Sequence, residues 1–112
     1  MRQTLAAMER HNVVKAIVSG PVEVVEQWRT AAPGRILASP LFGRPNVDFY
    51  GRPLPEIDEL RSLFKSGRLS AIGEVVAQYE GLSPSDPALE PYFALAEELD
   101  IPVGIHTGTS FP

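Results

Sequence analysis

Four apolar segments, separated by helical patterns, constrain the fold of this chain more than any other feature of its sequence. Each segment is nearly continuous in apolar or small residues, whereas a half-exposed strand would alternate them with polar residues. Such continuity is typical of strands that are buried on both faces of a parallel sheet. The predicted strands are Val13–Ser19, Ile36–Phe42, Leu69–Val76 and Ile101–His106.

Amphipathic patterns before and between these segments predict four helices. Because a proline deep inside a helix would clash with the preceding turn, we predict that the last helical segment is divided in two by its prolines. In chain order the predicted elements are a helix over Gln3–His11, a helix that begins at Gly20-Pro21, a helix from Pro55 to Gly67, a short turn at Pro87–Leu89 and a main helix from Pro91 to about Leu99.

The resulting order, α-β-α-β-α-β-α-β, predicts a single α/β domain over residues 1–112 with right-handed βαβ units and a parallel sheet. Two closures fit this order. One is a small doubly wound sheet with helices on both faces. The other is about half of a (β/α)8 barrel, because a complete barrel needs about 250 residues. The pattern alone leaves both open.

Composition excludes several classes of function. The net charge of −4 and the pI near 5.1 argue against a nucleic acid or an anionic membrane as partner. The chain has no cysteine, which rules out thiolate metal sites and cysteine nucleophiles. It also has no G-x-S-x-G nucleophile elbow. No apolar run approaches the length of a membrane span and residues 1–12 lack a signal-peptide core, so a cytoplasmic location is the default expectation.

Two side chains able to bind a metal or move a proton are predicted at the ends of neighbouring strands. Glu74 lies near the end of the third strand and His106 at the end of the fourth. Counted from the strand starts, both lie at the same depth and on the same side of the sheet. Chemistry in parallel α/β proteins is placed at this edge. A carboxylate beside an imidazole suits Zn²⁺, Mn²⁺ or Fe²⁺, and it equally suits acid–base catalysis.

Structural roles are the alternatives for these residues. A lone histidine at a strand end, such as His106, is commonly a hydrogen-bonded structural residue. A buried Glu74 would need a partner, because an unpaired buried carboxylate is costly, and Arg68 is a candidate for that partner. His11 lies near a helix end and is predicted to be at the surface.

The loop Gly43–Leu54 follows the second strand at the same edge of the sheet. Long loops at that edge often shape a substrate pocket, so Arg44 and Tyr50 are candidate substrate-binding residues. Tyr79, which follows the third strand, is a candidate for the same role. A surface excursion of the loop and ordinary packing of the tyrosine are the alternatives.

Three motifs resemble a known family. Gly73-Glu74-Val75 is followed by Pro84-Ser85-Asp86-Pro87 and then by a helix-to-strand segment from Pro91 that ends in His106-Thr107-Gly108. Together they resemble the amidohydrolase superfamily, and most of all its amidohydrolase-related group of metal-dependent TIM-barrel hydrolases and decarboxylases. The resemblance is clear over residues 69–108 and weaker over residues 3–55.

The resemblance implies that the chain covers about barrel strands two to five, and thus about half of a (β/α)8 TIM barrel. His106 would match the histidine metal ligand on the fifth strand, and Glu74 would match the fourth-strand position as a metal ligand or proton shuttle. The His-x-His pair of the first strand has no counterpart here. The isolated chain is therefore expected to bind metal weakly and to turn over little or no substrate.

The resemblance further implies a divalent cation in the complete protein, with zinc as the first choice and manganese or iron as alternatives. It also implies a small carbonyl substrate such as an amide, a lactone or a carboxylic acid. Two open sheet edges would invite self-association. The alternative function is a non-catalytic α/β binding or interaction module, and a third reading is a remnant without function.

Overall fold

The computed structural model describes residues 1–108, and over this range it confirms an α/β chain with small parallel sheets. Two short 3-10 turns, Ala77–Glu80 and Pro87–Leu89, lie between the third strand and the last helix. None of the described helices has both the length and the apolar character needed to cross a membrane. In chain order the other elements are α1 (Arg2–Arg10), β1 (Ala16–Gly20), α2 (Val22–Ala31), β2 (Ile36–Pro40), α3 (Ile57–Lys65), β3 (Ile72–Val75), α4 (Glu90–Leu99) and β4 (Val103–Ile105).

Three strands begin later than predicted, because the apolar residues at their predicted starts close the preceding helices instead. In each case a backbone N–H donates to a carbonyl five or six residues earlier, as in a Schellman-type helix end. Asn12 and Asp100 supply the left-handed residue at two of these ends, with φ of 57° and 54°. The bonds run from Val13 to Met8 (2.8 Å), from Leu69 to Leu63 (3.2 Å) and from Ile101 to Ala96 (2.9 Å).

The strands form two parallel pairs. β1 pairs with β2 in continuous register, from Ala16 opposite Ile36 to Gly20 opposite Pro40. β3 pairs with β4, and an isolated parallel bridge between Phe42 and Val75 links the end of β2 to β3. Strands that are neighbours in space are therefore consecutive in the chain.

The main hydrophobic core lies between the helices and one face of the strands. Residues of β2 alternate between the two sides: Ile36 and Ala38 belong to the hydrophobic cores, whereas Leu37 and Ser39 do not. A smaller core joins Ile36 to Met8 of α1 and Ala32. The main core includes Val25, Ala38, Phe42, Leu60, Leu63, Phe64, Leu69, Ile72, Val75, Leu89, Tyr92, Leu95 and Ala96.

The opposite face of the strands is open in the described part of the chain. Ile17 of β1 is 56% exposed there, so the predicted burial of the strands on both faces is wrong for this strand. A groove of about 390 Å³ runs along this face and passes Ser19, Ser39, Gly73 and Glu74. The groove leads to the carboxyl ends of the strands, where the candidate site lies.

Phe42 is expected to be critical for stability because it links the two strand pairs. Its side chain is 1% exposed and its ring centroid lies 4.8 Å from that of Tyr92. Phe42→Ala leaves a cavity in the main core and should lower the free energy of unfolding by about 3–5 kcal/mol. Urea denaturation measures the change, and Tyr50→Ala is the control because Tyr50 is 60% exposed. An equal loss in both variants would contradict this assignment.

Candidate active site

Glu74 and His106 lie side by side at the carboxyl ends of β3 and β4. His106 Nδ1 is 2.9 Å from Glu74 Oε1, within hydrogen-bonding distance. The backbone N–H of His106 donates to the carbonyl of Val75 at 2.9 Å, which fixes the histidine just beyond the last residue of β4. The Glu74 side chain is 50% exposed and the His106 side chain is 28% exposed, so both are accessible from solvent. The carboxylate is therefore not buried, in contrast to the expectation from its apolar strand.

A bulge at Gly73 turns the Glu74 side chain toward His106. Ile72 is opposite Val103 and Val75 is opposite Ile105, so β3 has one more residue than β4 between these positions. Gly73 has a φ of 126°, and a Cβ atom there would collide with the Gly104 carbonyl. The Gly73–Glu74 peptide bond is cis. Counting from the strand starts placed Glu74 and His106 at the same depth, which is wrong, because the observed register has Val75 opposite Ile105. The two side chains meet nonetheless, through this irregular backbone.

Two serines hold the bulge from the neighbouring strands. The Ser19 hydroxyl donates to the Gly73 carbonyl at 2.7 Å and accepts from the Glu74 N–H at 3.0 Å. The Ser39 hydroxyl is fully buried and is shared between the carbonyls of Ala71 and Gly73. These side-chain hydrogen bonds replace backbone hydrogen bonds of a regular sheet at the bulge. They hold the backbone of Glu74 in place, and its side chain extends from there.

Sequence reasoning missed both serines as contributors to the site. A signal was present, because Ser19 and Ser39 are the only hydroxyl residues of β1 and β2 and lie opposite each other in the register. The sequence did not reveal the bulge, which brings the Gly73 carbonyl within hydrogen-bonding distance of the two serine hydroxyls.

An aromatic-walled pocket of about 280 Å³ contains the pair. The Tyr79 hydroxyl lies 3.3 Å from His106 Nε2, and the Phe49 ring meets Tyr79 edge-on at a centroid distance of 6.2 Å. Leu41 and Val76 complete the lining. Mostly apolar walls strengthen the electrostatic interactions of the few polar groups inside.

The other predicted substrate-binding residues lie outside this pocket. Arg44 is 3.7 Å from Glu80 in an exposed ion pair. Tyr50 packs edge-on against Phe49 and is largely exposed. Phe49, the residue before Tyr50 in the same loop, lines the pocket instead. Roles of Arg44 and Tyr50 in substrate binding stay predictions.

The prediction that Arg68 is a candidate structural partner of Glu74 is wrong. Arg68 pairs with Glu26 of α2 through two hydrogen bonds, one of them 2.9 Å long. These bonds and the nearby carboxylate raise the pKa of the Arg68 guanidinium above its ordinary value. His11 is exposed at the end of α1, as predicted. Glu74 thus has His106, and not an arginine, as its ionisable partner.

The pair is chemically suited to a divalent cation. Zinc binds imidazole nitrogen and carboxylate oxygen at about 2.0–2.2 Å, so two ligands of one ion lie about 3.0–3.5 Å apart. The observed Nδ1–Oε1 separation of 2.9 Å is close to this range. Among residues 1–108, however, no group of three or more His, Cys, Asp or Glu side chains could hold an ion. This part of the chain thus supplies two donors, one fewer than the usual three of a catalytic zinc site.

In comparisons with protein families, curated proteins and solved structures, none matches this chain.

Substitution at Gly73 tests whether the bulge holds the pair together. Gly73→Ala places a Cβ against the Gly104 carbonyl and forces alanine to a positive φ, so we expect a loss of stability of about 1–3 kcal/mol. The His106 ring resonances should shift at the same time, because Glu74 is displaced.

Gly104→Ala is the matched control on the facing strand, since a Cβ at Gly104 meets no atom within 4 Å. We expect its free energy of unfolding to stay within about 1 kcal/mol of the wild-type value. Chemical denaturation and NMR spectra of the ring protons measure both variants. Wild-type histidine resonances in a folded Gly73→Ala protein would contradict the role given to the bulge.

Proposed function

We propose that this chain forms part of a metal-dependent hydrolase of the amidohydrolase type that acts on a small carbonyl compound. The observation that carries the proposal is the contact between Glu74 and His106 at the carboxyl ends of neighbouring parallel strands. The motif resemblance implies that His106 is a metal ligand and that Glu74 is a second ligand or a proton shuttle, and the 2.9 Å separation is compatible with a shared cation.

The architecture supports a barrel more than a doubly wound sheet. Neighbouring strands are consecutive in the chain, and both cores lie on the helical face. In a (β/α)8 barrel the helices surround the strands and the other strand face becomes the interior. The open groove past Ser19 and Glu74 would be that interior, and the aromatic-walled pocket would lie at its mouth.

The donors of this chain would be His106 Nδ1 and Glu74 Oε1. A bound divalent ion, with zinc as first choice and manganese or iron as alternatives, lowers the pKa of a water molecule and polarises a carbonyl. Glu74 could instead carry a proton between water and the leaving group, because it lines the pocket and half of its side chain is exposed to solvent. Phe49, Leu41 and Val76 would exclude bulk water from a bound amide, lactone or carboxylic acid.

A non-catalytic binding or interaction module is the second candidate. The observation in its favour is that residues 1–108 bring together two donors and not three. Within residues 1–108, the outer edges of β1 and β4 pair with no further strand, and their backbone groups could pair with a strand of a partner, such as a second copy of this chain. Such a module would bind its partner with or without a metal.

Zinc titration followed by calorimetry separates the two candidates. The metal-site proposal predicts weak binding of one Zn²⁺ and a loss of affinity of at least about tenfold in His106→Asn and in Glu74→Gln, since even outer-shell changes cost that much. His11→Asn is the matched control, because His11 is the other histidine of the chain and is exposed at the end of α1.

The proposal fails if the wild-type chain binds no zinc, or if binding survives in His106→Asn and disappears in His11→Asn. Stoichiometry is part of the test, because scattered surface carboxylates would give several weak sites and no dependence on Glu74.

A further inference from the structure

Both ring nitrogens of His106 have partners in this chain. Nδ1 lies 2.9 Å from Glu74 Oε1 and Nε2 lies 3.3 Å from the Tyr79 hydroxyl. An ionised carboxylate can accept hydrogen bonds but cannot donate them, whereas the tyrosine hydroxyl can donate or accept. The two sides of the imidazole are therefore chemically different, and the difference bears on which nitrogen can hold a cation.

Contacts with His106, Phe49 and the segment after β4 hold Tyr79 and its 3-10 turn in place. It belongs to the 3-10 turn Ala77–Glu80 directly after β3, and its ring lies at a centroid distance of 5.2 Å from that of His106. Phe49 meets its other side edge-on. The preceding residue, Gln78, donates to the Gly108 carbonyl at 2.6 Å and so ties the same turn to the segment after β4.

In a neutral His106 ring, these two contacts allow two arrangements of the single ring proton. Without a cation, the Glu74 carboxylate accepts from Nδ1–H, and the Tyr79 O–H donates to the unprotonated Nε2. With a cation at Nδ1, that nitrogen has no proton, and the proton of the neutral ring resides on Nε2. Nε2–H then needs an acceptor, and the Tyr79 oxygen is the group within reach.

We propose that Tyr79 is a positioning residue that holds His106 in the Nε2–H form while Nδ1 binds the cation. The inference rests on the proposed metal site and assigns to that site its outer hydrogen-bond partner. Ligating histidines in metal sites generally donate their other N–H to such a partner, which fixes the ring and its protonated nitrogen. With Nδ1 as the ligand atom, Nε2 stays beside the Tyr79 hydroxyl.

Tyr79→Phe tests this role, because it removes the hydroxyl and keeps the ring that packs on Phe49 and His106. Zinc affinity should fall by about 10–100-fold, the usual cost of losing an outer hydrogen-bond partner. Tyr50→Phe is the matched control, since Tyr50 also packs on Phe49 but does not line the pocket. Its zinc affinity should equal that of the wild-type chain.

Long-range ¹H–¹⁵N spectra of the wild-type histidine ring give a readout that a packing role would not change. We expect the ring proton on Nδ1 without zinc and on Nε2 with zinc. Zinc bound at Nε2, or a Tyr79→Phe variant that binds zinc as tightly as the wild type or more tightly, overturns the inference and leaves the metal site standing. A wild-type chain that binds no zinc overturns both proposals.

Discussion

The meeting of Glu74 and His106 depends on one extra residue in strand β3. Between its two paired positions β3 advances three residues while β4 advances two, and Gly73 takes up the difference with a positive φ. The carboxylate therefore leaves the regular alternation of the strand and reaches the neighbouring imidazole. The hydroxyls of Ser19 and of the buried Ser39 donate to the carbonyls of Gly73 and Ala71, because a buried carbonyl without a partner would be costly.

The ends of the helices explain why the strands are short. Residues such as Val13 and Ile101 are apolar, and strand propensity alone would extend β1 and β4 to include them. Their N–H groups bind the last turn of the preceding helix, so they cannot take part in the sheet ladder as well. Apolar side chains nevertheless suit these positions, since a hydrophobic contact commonly accompanies this type of helix end. Local closure of the preceding helix therefore delays the start of three of the four described strands.

Much of the fold could be predicted from the sequence, because periodicity and proline position are local properties. The turn at Pro87–Leu89 and the helix after it follow from two prolines, and the structure has both elements. The placement of Glu74 and His106 at one edge of the sheet was also predictable, since strand ends of a parallel sheet share that edge. The bulge was not, because it depends on how the Gly73 backbone packs on Gly104, a contact between residues far apart in the chain.

The residues around the pair were harder to predict for the same reason. Tyr79 was expected at the correct edge of the sheet, but its contact with Nε2 depends on the 3-10 turn that follows β3. Phe49 was missed in favour of Tyr50, because a loop sequence does not reveal which of two adjacent aromatic residues points inward. Arg68 has Glu26 as its partner and not Glu74, because the sequence does not reveal which carboxylate the folded chain brings to it.

A direct view of the cation is the most decisive measurement. Crystals of the chain grown with Zn²⁺ and measured at the zinc absorption edge locate the ion by its anomalous scattering. We predict the strongest peak within about 2.0–2.2 Å of both Glu74 Oε1 and His106 Nδ1. Anomalous peaks only at His11 or at surface carboxylates, with the hydrogen bond between Glu74 and His106 intact, would contradict it.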